Sequence, residues 1–148
     1  MYEIIEHLYL ANEKSIKNKE LLREYNIKAI LNSAKEIPCY FEEDIEYFHI
    51  PVLDSDDMEE NNKFFKYLEH ATHYIKHYLD QNVNVVVHCK QAIQRSPAVI
   101  AAYLIKYFKL SMKEAMEFIK TKRPEAFFYQ SNFESALTSW EMLYSYKK

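Results

Sequence analysis

Residues 88 to 96 read His-Cys-Lys-Gln-Ala-Ile-Gln-Arg-Ser, so Cys89 and Arg95 stand at the two ends of a five-residue loop and Ser96 follows the arginine. A loop of this length between a strand and a helix can turn its main-chain N–H groups into a concave nest. The helix behind it adds positive partial charge at its N-terminus. Both features favour an anion the size of a phosphate. The same field favours thiolate over thiol at Cys89, and a thiolate is a nucleophile. Arg95 offers a planar fork of donors that matches two phosphoryl oxygens, suited to an in-line displacement in which charge and position supply most of the catalysis. Ser96 is expected to donate its hydroxyl to the Cys89 sulfur and ease its departure in a second step. A cysteine at a strand end is by itself usually a small buried apolar residue. The strand, loop, arginine, hydroxyl and helix together argue for chemistry.

The elements that must position this loop can be read from periodicity. Val83, Val85, Val86 and Val87 form the most strand-like run, stopping at His88-Cys89. A helix follows from Ser96-Pro97 to about Phe108, apolar on nearly every side and therefore central, with proline in its first turn. Upstream, Tyr2 to Ala11 reads as two short strands bent near Glu6-His7. A helix over about Lys17 to Tyr25, with Leu21 and Leu22 inward, leads to a buried strand over Ile27 to Leu31. Ile37 to Asp44 is a loop carrying Pro38, and Ile45 to Val52 is a strand whose Pro51 places its end near an edge. Phe64, Leu68, Ala71, Ile75 and Leu79 mark one face of a helix from about Asn61 to Leu79. Ser111 and Glu114 form a capping box for a helix to about Thr121, and Pro124 precedes a last helix from roughly Ser131 to Tyr146. The alternation predicts an α/β sandwich around a mostly parallel central sheet of about five strands flanked by helices, with the site beyond the carboxyl ends of the strands.

The chain has 148 residues, 49% hydrophobic and 28% charged, which predicts one globular domain over residues 1–148. A net charge of −3 with interspersed signs provides no basic face for nucleic acid. No apolar run approaches the roughly 18 residues a membrane span needs. These features predict a soluble cytoplasmic or nuclear monomer. Cys39 and Cys89 are too few for a disulfide framework or a four-ligand metal site. Cys39 is read as a bystander, or else as a redox partner for Cys89. His70, His73 and His77 share a helical face, which suits solvent better than a metal among so many lysines and acids. Glycine is absent, where average usage would supply about ten, so deliberate replacement of glycines is the expectation drawn from composition.

The run Val85-Val-Val-His-Cys-Lys-Gln-Ala-Ile-Gln-Arg-Ser-Pro97 resembles the signature loop of the dual-specificity phosphatases, a branch of the protein tyrosine phosphatase superfamily. Similarity extends through His7-Leu-Tyr-Leu-Ala, Ile27 to Asn32, Ile50-Pro-Val-Leu-Asp, Met112 to Pro124 and Asn132-Phe133, nearly the whole chain. The resemblance implies hydrolysis of phosphotyrosine and phosphoserine or phosphothreonine in a phosphorylated protein substrate through a phosphocysteine intermediate, without cofactor or metal. It assigns the general acid to Asp54, with Asp56 and Asp57 as understudies, and gives His88 the task of ordering the loop and tuning Cys89. Lys90, Gln91, Ala92, Ile93, Gln94 and Arg95 become the phosphate-binding residues. Ala92 replaces a glycine of the family. If the loop needs positive φ there, alanine costs on the order of 1 kcal/mol, and its methyl is expected to crowd the phosphate and slow the enzyme. Gln94 replaces a smaller residue, and Ala11 also stands where glycine is frequent. The alternative is a phosphopeptide-binding pseudophosphatase. An inositol-lipid or RNA 5′-phosphate phosphatase is a third reading, hinted at by Lys90 but opposed by Ile93 at the second lysine position.

Overall fold

The computed structural model describes residues 1–128 and 131–145. Strands β1 (Tyr2–Ile5) and β2 (Leu8–Ala11) pair antiparallel across the Glu6–His7 turn. The single helix expected next is two: α1 (Glu13–Ile16) and α2 (Lys19–Glu24). Asn12 and Asn18 each accept a hydrogen bond from the main chain three residues on, so each starts a helix of its own. Strand β3 (Ile27–Asn32) follows, then the edge strand β4 (Glu46–His49), shorter than predicted because the ladder ends before Pro51. Helix α3 (Met58–Leu79) begins three residues before the predicted start, where the Asp57 carboxylate caps the Glu59 N–H at 2.7 Å. Strand β5 (Asn84–His88) runs into the loop and then α4 (Arg95–Phe108). The Ser111–Glu114 capping box opens α5 (Met112–Lys122) as expected. The last helix, α6 (Glu134–Tyr144), starts three residues later than predicted, and its predicted end at Tyr146 lies outside the described residues.

The sheet order is β1-β2-β5-β3-β4, parallel except at the β1 edge. This is the expected α/β architecture, and it places β5 at the centre. Its valines are apolar on both faces for that reason. Val85 and Val87 pack with α3, α4 and α6, while Val86 faces a smaller cluster around Ile16 and Leu22 from α1 and α2.

The lack of glycine has a backbone consequence. Six described residues take positive φ without it: His7, Asn26, Asn82, Ala92, Lys109 and Phe127. Asparagine tolerates this region at modest cost, whereas a lysine, a phenylalanine or an alanine holds its conformation against local strain.

Candidate active site

The β5–α4 connection lies beyond the carboxyl end of the central strand, and its backbone is held from outside. The carbonyls of four consecutive residues each accept a hydrogen bond from the surrounding fold. Lys90 O takes Glu13 N–H at 3.0 Å, Gln91 O and Ala92 O take Arg123 Nη2 and Nε at 3.0 and 3.3 Å, and Ile93 O takes Phe127 N–H at 2.7 Å. The N–H groups of the same residues, Lys90 to Ile93, find no acceptor among the described residues. With carbonyls anchored outward, the amides are left for an anion. Helix α4 begins at Arg95 with no side chain capping its N-terminus, which adds its positive end to the same place.

Ala92 sits in this loop at φ 60°, the positive value that the sequence made conditional. Its methyl, however, is not among the groups that line the cavity beside Cys89. Ala92 is fully buried in the main hydrophobic cluster, while Lys90, Gln91, Ile93 and Gln94 line the cavity. That corrects the expectation of a steric conflict. What remains is the strain of the left-handed conformation, braced by Arg123 on the Ala92 carbonyl.

Cys89, Arg95 and Asp54 meet on one cavity of about 200 Å³, together with Glu36. Cys89 Sγ lies 3.0 Å from Ser96 Oγ and accepts the Ser96 N–H at 3.4 Å, so the hydroxyl stands where the sequence placed it. Arg95 is buried, and its guanidinium is fixed by Glu36, which accepts from Nη1 and Nη2 at 2.7 Å each, and by Val52 O at 3.0 Å from Nη1. Arg95 Nε is buried with no partner among the described residues, a donor left for a ligand. The hydrogen bonds from Arg95 hold the Glu36 carboxyl down to about 2. Asp54 is exposed at the cavity edge, with Oδ1 accepting from Asn132 Nδ2 at 2.7 Å. Of its two understudies, Asp57 is spent on capping α3 and Asp56 is exposed away from the cavity lining.

His88 is fully buried, and burial pushes its imidazole down to about 4. Neither ring nitrogen has a hydrogen-bond partner among the described residues. Its contact with the surroundings of the loop runs through the main chain, where His88 O accepts Ser33 N–H at 2.9 Å and Ser33 Oγ–H at 2.7 Å. Cys39 is a free thiol bonded at 3.6 Å by Asn32 Nδ2, and burial pushes its pKa up. His70, His73 and His77 are exposed along α3, and no group of three or more potential ligands among the described residues could hold a metal. No described helix is long and apolar enough to cross a membrane. A larger cavity, about 350 Å³ beside Lys19, Arg23 and Asp44, has no cysteine in its lining.

Glu36, Arg123 and the tie from Asn132 to Asp54 were not anticipated. For Glu36 a signal existed: β3 is parallel to β5, so the loop leaving its carboxyl end must flank the loop leaving β5.

Comparison with known proteins agrees with this geometry. The family model "Dual specificity phosphatase, catalytic domain" matches residues 8–142. Protein phosphatase Slingshot of Drosophila melanogaster is 33% identical over 121 residues, 82% of this chain and 11% of that protein. Dual specificity protein phosphatase 6 of Homo sapiens is 36% identical over 124 residues, 82% of this chain and 31% of that protein. The chain thus spans less than a third of either relative. Among solved structures, human DUSP28 superposes with a TM-score of 0.84 at 22% identity, covering 96% of this chain and 93% of that one. By sequence, by fold and by the arrangement of its central loop, the chain belongs to the dual specificity phosphatase catalytic-domain family of the protein tyrosine phosphatase superfamily.

Proposed function

We propose that residues 1–148 act as one catalytic domain that hydrolyses phosphotyrosine and phosphoserine or phosphothreonine in proteins through a phosphocysteine intermediate. One observation carries the reading: four successive loop carbonyls are held outward while their N–H groups are left without acceptors, above a cysteine and beside a fixed arginine. In the first step the Cys89 sulfur attacks phosphorus, the phosphorus–oxygen bond to the side chain breaks, and Asp54 gives its proton to the departing oxygen. Loop amides and Arg95 hold the three equatorial oxygens throughout. In the second step water attacks phosphorus, the sulfur–phosphorus bond breaks, and the Ser96 hydroxyl supports the departing sulfur. Asp54 takes the proton from water.

The burial of the Ala92 methyl away from the cavity favours turnover over a phosphopeptide binder that merely shields its partner. Phosphate release from matched phosphotyrosine and phosphothreonine peptides tests the choice. The expected result is release from both, lost in Cys89→Ser. Tight phosphopeptide binding by the unmodified chain with no phosphate released would establish the binder instead.

A further inference from the structure

Gln94 is larger than the residue usual at its position, and its amide is engaged at both its nitrogen and its oxygen. It is buried at 7% exposure; Nε2 donates to Phe128 O at 3.2 Å, and Oε1 accepts the Asn132 N–H at 3.0 Å. Asn132 is held from a second side as well, since Asn61 Nδ2 in the first turn of α3 donates to Asn132 O at 3.0 Å. Thus fixed at both its main-chain N–H and its carbonyl, Asn132 directs its side-chain amide to Asp54 Oδ1 at 2.7 Å. The phosphate loop, the approach to α6 and the acid-bearing loop are in this way joined in one hydrogen-bonded bracket. Asp54 is otherwise an exposed side chain on an irregular segment, with no other side-chain hydrogen bond among the described residues.

We propose that Asn132 is the positioning residue for the proton donor Asp54, and that Gln94 ties it to the phosphate-binding loop so that the acid is set before substrate arrives. The inference rests on the assignment of Asp54 as the acid in the proposed reaction. A buried glutamine before Arg95, which would be unexplained bulk in a loop built for a small residue, acquires a task by this account. A pre-set donor also removes the ordering step that a mobile acid loop would impose on each turnover.

The test uses leaving groups, because protonation matters for a basic leaving oxygen and little for a weakly basic one. The whole chain is compared with Asn132→Ala and Asn132→Asp on phenyl phosphate and on an aryl phosphate whose leaving group is weakly basic. Asn132→Ala is expected to lower kcat/KM on phenyl phosphate, which reports the first step, by roughly tenfold, part of the full general-acid contribution, with kcat/KM on the weakly basic substrate little changed. Asp54→Ala should show the same selectivity, and the double variant no further loss, since one function cannot be removed twice. Asn132→Asp, nearly the same shape, sets a second carboxylate against Asp54 and should move the basic limb of the kcat/KM profile on phenyl phosphate to higher pH. Equal losses on both substrates, losses that multiply in the double variant, or an unmoved basic limb in Asn132→Asp would overturn the positioning role while leaving the phosphatase reading intact. No phosphate release from either substrate by the unmodified chain would overturn both.

Discussion

Glu36 grips Arg95 through both carboxylate oxygens, each 2.7 Å from a different terminal nitrogen of the guanidinium. Glu36 lies on the loop after β3 and Arg95 opens α4, and the pair is asymmetric: the arginine side chain is 3% exposed and the glutamate 42%. The carboxylate therefore holds a buried cation in place from the solvent side. Nε is left without a partner among the described residues, and in the proposed reaction it would donate to a phosphoryl oxygen.

Removing that grip should cost stability. Glu36→Gln leaves a buried guanidinium without its counter-charge, and because the carboxylate is well exposed the expected loss is about 1 kcal/mol, measured by urea unfolding at neutral pH. The carboxyl titrates near 2 in the folded chain against an ordinary 4.5. Its contribution is therefore complete above pH 4.5 and lost as pH falls toward 2. Unfolding curves across that window should be flatter for Glu36→Gln than for the parent.

His88 adds a second and earlier acid sensitivity. Its folded value near 4 lies below the ordinary 6.5, so the unfolded chain takes up a proton that the folded chain refuses. Stability from this residue is complete above pH 6.5 and is lost as pH falls to 4, about 3 kcal/mol in all. Urea midpoints at pH 7, 5.5 and 4 should fall accordingly and fall less in His88→Gln. An equal slope in the variant would contradict the assignment.

The positive-φ residues separate strain from packing. Lys109 ends α4 in the left-handed region at φ 59° and is not buried, so Lys109→Gly should raise stability by about 0.5 to 1 kcal/mol after the entropy cost of glycine. Phe127, at φ 58°, is 4% exposed within the main cluster. There the lost side chain outweighs the relieved strain, and Phe127→Gly should cost about 2 kcal/mol or more. Thermal unfolding of the two variants should shift in opposite directions.

At Ala92 the terms nearly cancel. Glycine would relieve about 1 kcal/mol of strain, but would lose a buried methyl worth about 0.8 kcal/mol and gain unfolded-state freedom. Ala92→Gly should stay within about 1 kcal/mol of the parent in chemical unfolding. Ala92→Val places a β-branched residue at positive φ in a packed core, and should destabilise the chain by about 2 kcal/mol or more and weaken inhibition by vanadate.

The centre of the molecule was legible because its pattern has one physical solution. A valine strand apolar on both faces must be central, and an all-round apolar helix after a cysteine-arginine loop must lie beneath it. Ser111 and Glu114 announced α5 through a capping box that the structure contains. Local polar contacts were harder to read. Asn12 and Asn18 each cap a short helix, and nothing in the apolar spacing separates the two helices. The grip of Glu36 on Arg95 spans 59 positions, and that of Asn132 on Asp54 spans 78, so both depend on which loops the sheet order brings together. Arg123 beside the loop is of the same kind: its partners within the loop are carbonyls, which carry no sequence signal.

The central claim, that the Cys89 sulfur itself attacks phosphorus, is tested most directly by rapid acid quenching of the chain during turnover of an aryl phosphate, followed by mass spectrometry. A phosphoryl adduct on the peptide carrying Cys89, absent from the peptide carrying Cys39 and from Cys89→Ser, is the predicted result. Undiminished phosphate release by Cys89→Ser, or an adduct on another residue, would contradict it.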